Sequence, residues 1–355
     1  MELSTVWFII IGVLWTGYFV LEGFDFGVGV LMPVLGGRKR AAADAAPAAA
    51  DVEVEKRRRV MLNTIGPVWD GNEVWVLTAG GATFAAFPHW YATMFSGFYL
   101  PLLLILVALI LRNLGFEYRH KRPEETWKRR WDLAIFWGSL VPAFLWGVAL
   151  TNVVVGVPIN AVKEYTGNLF TLLNPTSLLG GLTFVALFVT HGAIFLALKT
   201  DGQIRADARR IATRAGVPAA GLAVLLLLVL GLQGGGLASW VTTILAAGAF
   251  VAALWFNLKD REGPAFIGTA VTIAMAVATY FLILFPNVMP SSTNPAWSLT
   301  TANASSSHYT LTVMTIVAVI FTPLVLLYQG WTYWVFRKRL TTQHIPDDVV
   351  LEHVP

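Results

Sequence analysis

The sequence predicts an all-α integral membrane protein with nine transmembrane helices, its N-terminus outside and its C-terminus in the cytoplasm. Three observations predict it. Hydrophobic residues make up 56% of the 355 and charged residues only 13%, where ordinary domains are about 25% charged. The apolar residues come in blocks long enough to cross a bilayer as helices. Lys and Arg then gather in every second loop between those blocks.

The spans fall near Thr5–Leu35, Met61–Phe87, Tyr91–Leu111, Trp131–Val155, Pro175–Leu198, Val217–Leu232, Ala238–Leu258, Pro264–Phe285 and Tyr309–Phe336. The first exceeds the ~20 residues that a membrane requires. It must tilt, or end before its Gly27-Val28-Gly29 and Pro33 region. Gly66-Pro67 offers a kink in the second span. Gln233-Gly234-Gly235-Gly236 joins two spans by a very short turn. With this division every basic residue except Lys163 falls on one side, and the positive-inside rule makes that side cytoplasmic. The formal charge of +4 is therefore a topology signal and not a nucleic-acid footprint. No basic region precedes the first apolar run, so it reads as a retained helix and not a signal peptide.

Among the loops, the Ala/Pro run Ala41–Ala50 with Asp51-Val52-Glu53-Val54-Glu55 reads as a flexible cytoplasmic loop without chemistry of its own. Gly156–Asn174 and Asn287–His308 are the distinctive outer loops. Trp90, Trp127, Trp131, Trp240, Trp331 and Trp334 fall near span ends, as an aromatic belt does.

Chemistry concentrates in two spans. The second carries Asp70, Asn72 and Glu73, and the first carries Glu22 and Asp25, each acidic pair three apart and so on one helical face. A charged side chain at the centre of a membrane costs roughly 2.5–3.5 kcal/mol on insertion scales, which marks a functional site. At ~1.5 Å per residue, Asp25 and Glu22 lie about 15 and 20 Å from the cytoplasmic edge, and Asp70 and Glu73 about 14 and 18 Å. Four acids at one level make a proton-relay entrance from the cytoplasm. Bound cations and a satisfied structural polar cluster are the alternatives. Neither span holds a basic residue, so the expectation is that ion pairing within this subunit cannot neutralise these acids.

Cysteine is absent, which excludes thiolate ligation of a metal or haem by this chain. His191 is the one histidine well inside a span. A lone membrane histidine is more often packed than ligating, so no cofactor or metal is expected on this chain.

An ordered set of motifs resembles subunit II of the cytochrome bd-type quinol oxidases over nearly the whole chain. It runs through Gly23-Phe24-Asp25-Phe26-Gly27-Val28-Gly29, Trp69-Asp70-Gly71-Asn72-Glu73-Val74-Trp75, Gly115-Phe116-Glu117-Tyr118-Arg119, Thr166-Gly167-Asn168-Leu169-Phe170 and Val288-Met289-Pro290-Ser291-Ser292-Thr293. The resemblance implies two four-helix bundles plus one additional helix. On this chain those are residues 1–155 with the membrane carboxylates, 156–286, and 287–355 with the outer loop, ninth helix and tail. It implies a haem-free subunit of a bacterial cell-membrane enzyme that oxidises quinol outside and reduces O2 with protons from inside, generating proton motive force without pumping. The partner, subunit I, would carry two haems b and one haem d. A small single-span subunit and a structural quinone are further implied associates. Asp70 matches an acid on a cytoplasmic proton route, and Trp75 a tryptophan bordering an oxygen passage. An ion-coupled secondary transporter is the competing class, since interrupted spans with midplane acids are also a transporter theme. A purely structural assembly subunit is the third.

Overall fold

The computed structural model describes residues 2–37 and 47–346. Its axis is α1 (Leu3–Leu35), whose middle, Glu22 to Gly29, is buried on every side. A helix enclosed all round must let its neighbours approach closely, and small residues permit that. A Cβ built on Gly27 would stand 2.0 Å from the carbonyl oxygen of Phe188 and 2.8 Å from Gly192 Cα, both on α7 (Pro175–Lys199). One on Gly29 would stand 2.0 Å from Ser139 Oγ of α6 (Glu125–Val155). Aromatic side chains then fill the space beside this seam. Trp15, Tyr18 and Phe19 pack edge-on against Trp146, and Phe19 stacks on Phe188.

The remaining helices of ten or more residues are α2 (Pro47–Ile65), α3 (Trp69–Ala86), α4 (Pro88–Gly97), α5 (Tyr99–Tyr118), α8 (Gln203–Gly234), α9 (Leu237–Leu258), α10 (Glu262–Leu284) and α11 (His308–Val335). Among the described residues, eight are long and apolar enough to cross a membrane: α1 and α5 to α11. The second expected span, Met61–Phe87, is divided. Gly66-Pro67-Val68 interrupts it, so α2 ends at Ile65 and α3 starts at Trp69. Proline has no N–H for the helical ladder and clashes with the preceding turn. α3 carries Asp70, Asn72 and Glu73 and is not among the eight. The third expected span also splits, into α4 and α5 on either side of Phe98.

Helix starts follow local chemistry. Asn174 caps α7 by accepting from Ser177 N, with Pro175 in the first turn, and Ser307 caps α11 by accepting from Thr310 N. At the same end, the short strands β1 (Asn287–Met289) and β2 (Leu299–Thr300) pair antiparallel. Ser291 and Thr293 hydroxyls both donate to the carbonyl of Ile159 at 2.9 Å, tying the two long loops into one cover.

The opposite end is basic, and there the loop expected over Asp51–Glu55 is a correction: these residues are the second turn of α2. Residues 41–46 of that expected loop lie outside the described residues. α2 is helical because it is ion-paired to the bundle. Arg119 grips Glu55 with two hydrogen bonds of 2.9 and 2.8 Å and also reaches Asp132 on α6. Arg58 bonds to Asp132 at 2.8 Å and to the carbonyl of Gly36, and Arg57, buried, bonds to Asp207 on α8 at 2.8 Å. After α11, the chain returns along this end. Leu340 N donates to Lys199 O, Asp201 N to Leu340 O, and Arg339 reaches Glu262 at 3.2 Å.

Two outcomes are expected. Gly192→Ala should lower the unfolding free energy by about 1–3 kcal/mol through overpacking against α1, whereas Gly248→Ala, with nothing within 4 Å, should leave the detergent-solubilised melting temperature unchanged. For Glu55, burial acts to raise the carboxyl, but the hydrogen bonds and charge of Arg119, with Arg59 and Lys128, outweigh it and hold it at about 2. That value is below the ordinary 4.5, so the stability it contributes is complete above the ordinary value and disappears as pH falls from there through about 2. Arg119→Ala should therefore lower the melting temperature at neutral pH and flatten its acid dependence, read by thermal unfolding across that range.

Candidate functional site

Halfway along α1, the acids predicted from the sequence meet residues that the sequence reading assigned elsewhere. Glu22 and Asp25 are completely buried. Arg112 of α5, also completely buried, pairs through Nη2 with Glu22 Oε1 and stands 3.3 Å from Glu73 Oε2 on α3. Its guanidinium lies 4.8 Å from the Phe26 ring centre and 5.5 Å from that of Phe116, where aromatic faces stabilise a cation. Asn113 donates to Glu73 Oε2 at 2.6 Å. The expectation that these acids have no partner is thus corrected for Glu22 and Glu73. The third span runs on past Leu111 to Tyr118, which carries Arg112 inside the helix and into the interior.

Asp25 belongs to a second arm. Asn72, wholly buried, donates from Nδ2 to Asp25 Oδ2 at 2.7 Å. Its Oδ1 accepts from Tyr333 Oη at 2.7 Å and Gln329 Nε2 at 3.3 Å, both on α11. Trp75 closes the arm by donating from Nε1 to Gln329 Oε1 at 2.9 Å. Asn72 therefore sits level with Asp25, and Glu73 level with Glu22.

Asp70 is not brought into this cluster. It occupies the first turn of α3 on an exposed face, because α3 begins at Trp69 and the backbone has turned at Gly66-Pro67. Being three apart makes Asp70 and Glu73 near neighbours along α3, yet Glu73 faces Arg112 and Asp70 faces outward.

Several buried polar atoms have no hydrogen-bond partner among the described residues: Glu22 Oε2, Asp25 Oδ1, Arg112 Nε and Nη1, and Asn113 Oδ1. Buried groups of this kind in native proteins are satisfied by ordered water where protein offers nothing. Three carboxyls around one arginine, with polar atoms left over, form an arrangement able to bind water and exchange protons.

Trp75 also separates two apolar grooves between α1, α3 and α11. One, of about 500 Å³, is lined by Trp7, Leu14, Val74 and Phe321; the other, of about 430 Å³, by Val20, Leu326, Gln329 and Tyr333. α11 is loosely held, with Leu311 its one buried residue.

His191 commits both ring nitrogens, Nδ1 to Thr269 Oγ1 at 2.7 Å and Nε2 to the carbonyl of Val20 at 3.0 Å, and stacks on Phe266. It packs α7 to α1 and α10 and offers no free axial donor. Among the described residues, no group of three or more His, Cys, Asp or Glu side chains is placed to hold a metal ion.

Arg112, Asn113, Gln329 and Tyr333 were missed by sequence reasoning. Gln329 and Tyr333 carried a usable signal, two hydrogen-bonding side chains four apart and so on one face of a predominantly apolar span. Arg112 carried none beyond its place one residue past an expected helix end.

Residues 3–336 match the family described as cytochrome bd terminal oxidase subunit II. The chain is 40% identical over 353 residues to cytochrome bd ubiquinol oxidase subunit 2 of Bacillus subtilis, covering 96% of this chain and 97% of that one. It is 37% identical over 386 residues to cytochrome bd-I ubiquinol oxidase subunit 2 of Escherichia coli K12, covering 97% and 96%. The fold is similar to that of a chain in the structure of bd oxidase from Geobacillus thermodenitrificans, with a TM-score of 0.74 at 19% identity, over 95% of this chain and all of that one. The matched span includes every residue of the buried cluster, and the chain belongs to the cytochrome bd terminal oxidase subunit II family.

Proposed function

We propose that this multi-pass bacterial membrane protein, a subunit of a quinol oxidase, supplies a proton route from the cytoplasm toward oxygen reduction on its partner, subunit I. The observation that carries the reading is that Glu22 and Asp25 are fully buried at mid-helix, each with a carboxylate oxygen that no group among the described residues satisfies. Intramembrane acids are retained against their cost where ions or protons move. In this reading α3 is the second span and brings the eight to nine, the basic end faces the cytoplasm, and the division into 1–155, 156–286 and 287–355 stands as the bundle organisation. The haems b and d belong to subunit I; they supply the electron chemistry there, and this chain's own residues hold water and move protons at Glu22, Asp25 and Glu73.

Asp70 fits the same reading in a different place. An exposed carboxylate on α3, a helix that also leaves Leu77 72% exposed, is costly against lipid and favourable against a polar partner. Asp70 therefore contacts subunit I and receives protons at the interface, with Asn72 and Glu73 behind it. The grooves beside Trp75 suit an apolar guest, either O2 on its way through or the tail of a structural quinone. The small single-span subunit belongs to the same assembly. Family membership leaves the secondary-transporter alternative without support.

The test is O2 consumption by the purified heterodimer with quinol in excess. Asp25→Asn and Glu22→Gln should each lower turnover at least about a hundredfold, the low end of what a positioned proton donor contributes, while the haem absorption of the complex stays intact. Full turnover in assembled complexes of both variants would sink the proton route and leave the assembly role.

A further inference from the structure

The arm that ends on Asp25 has a direction, and one donor-only group fixes it. An indole N–H donates and never accepts. With Trp75 Nε1 2.9 Å from Gln329, the Gln329 amide must turn its oxygen to Trp75 and its nitrogen away. That nitrogen lies 3.3 Å from Asn72 Oδ1, which also takes the Tyr333 hydroxyl at 2.7 Å. Two donors on its oxygen commit the Asn72 amide in turn, so Nδ2 points at Asp25 Oδ2 at 2.7 Å. A hydroxyl oxygen accepts more weakly than a carbonyl oxygen, so the Asn72 hydrogen bond favours Oδ2 as the carbonyl oxygen of the protonated acid. Oδ1, the oxygen without a partner among the described residues, is left to carry the proton.

We propose that Trp75, Gln329 and Asn72 form a one-way donor chain that positions Asp25, making Oδ1 the oxygen that takes up and releases the proton. The proposal deepens the proton-route reading and rests on it. Amides do not hand protons on as water does, so the chain orients and does not conduct. Asn72 touches the reacting carboxyl, and Trp75 and Gln329 act through it as positioning residues. Trp75 thereby has a task apart from any passage of oxygen. The link runs from α3 to α11 and back, so the loosely held α11 takes part in setting the state of a carboxyl on α1.

The experiment uses the whole oxidase complex with Trp75→Phe, which keeps the ring and removes the donor, Gln329→Leu, which removes the middle link, and the double variant. Each single variant should lower kcat roughly fivefold, the scale of one buried hydrogen bond, and leave KM for O2 unchanged. The double variant should be no slower than either single, because all three residues serve one chain. Infrared difference spectra should show the Asp25 carboxyl band, identified by its loss in Asp25→Asn, displaced in all three variants. A Trp75→Phe complex with raised KM for O2 but unmoved kcat and carboxyl band overturns the proposal, as do multiplicative effects in the double variant. Gln329→Leu carries the test alone if Trp75→Phe does not assemble. If Asp25→Asn itself turns over normally, the proton route falls and the chain's purpose with it. If Asp25→Asn is slow while the other variants match the native enzyme in rate and band, only the positioning chain falls.

Discussion

Everything at the centre of this molecule follows from one guanidinium held out of water. Arg112 is completely buried in a span, and an isolated charge there would cost far more than the modest net stability of a folded chain tolerates. It is retained because Glu22 and Glu73 flank it and two aromatic faces cover it. The same guanidinium lets the acids stay, since removing any one member would strand the others. α1, α3 and α5 are thereby bound at one level by electrostatics, in a region where apolar burial gives no preference for protein neighbours over lipid.

The rest of the architecture serves that level. Glycines at 27, 29 and 192 bring α1, α6 and α7 close enough to exclude lipid from Glu22 and Asp25. At the basic end, Glu55, Arg57, Arg58, Arg119 and Asp132 fasten α2 under the same helices. One side is built differently. α11 touches the bundle mainly through Trp7 near its start and through Gln329 and Tyr333 near its end, with open apolar grooves on both sides of Trp75. A rigid interior and a loose flank are what a subunit needs when its neighbour completes it.

Much of this was legible in the sequence. Composition and the alternation of basic loops specify a polytopic helical protein because a bilayer accepts little else. The acids announced themselves by being in apolar spans, since polar residues there are too costly to be incidental. The break at Gly66-Pro67 was visible as a kink, but not as the point where one helix ends and another begins. The run from Asp51 to Glu55 looked like a loop, because its helix is held by ion pairs with residues 64 to 150 positions away, and local propensity does not register those.

The sequence by itself determined the class, the family pattern and the presence of acids on two adjoining spans, because these depend on residue type and on spacing along one helix. Only the tertiary structure decided which side each acid faces and what stands opposite it. It turned Asp70 outward and Glu73 inward, drew Arg112 from an expected helix end into the interior, and set Gln329 and Tyr333 against Asn72 from more than 250 residues away. Rotation about a helix axis and the partner across it are fixed by packing between helices, and a single chain of letters holds that information only once it is folded.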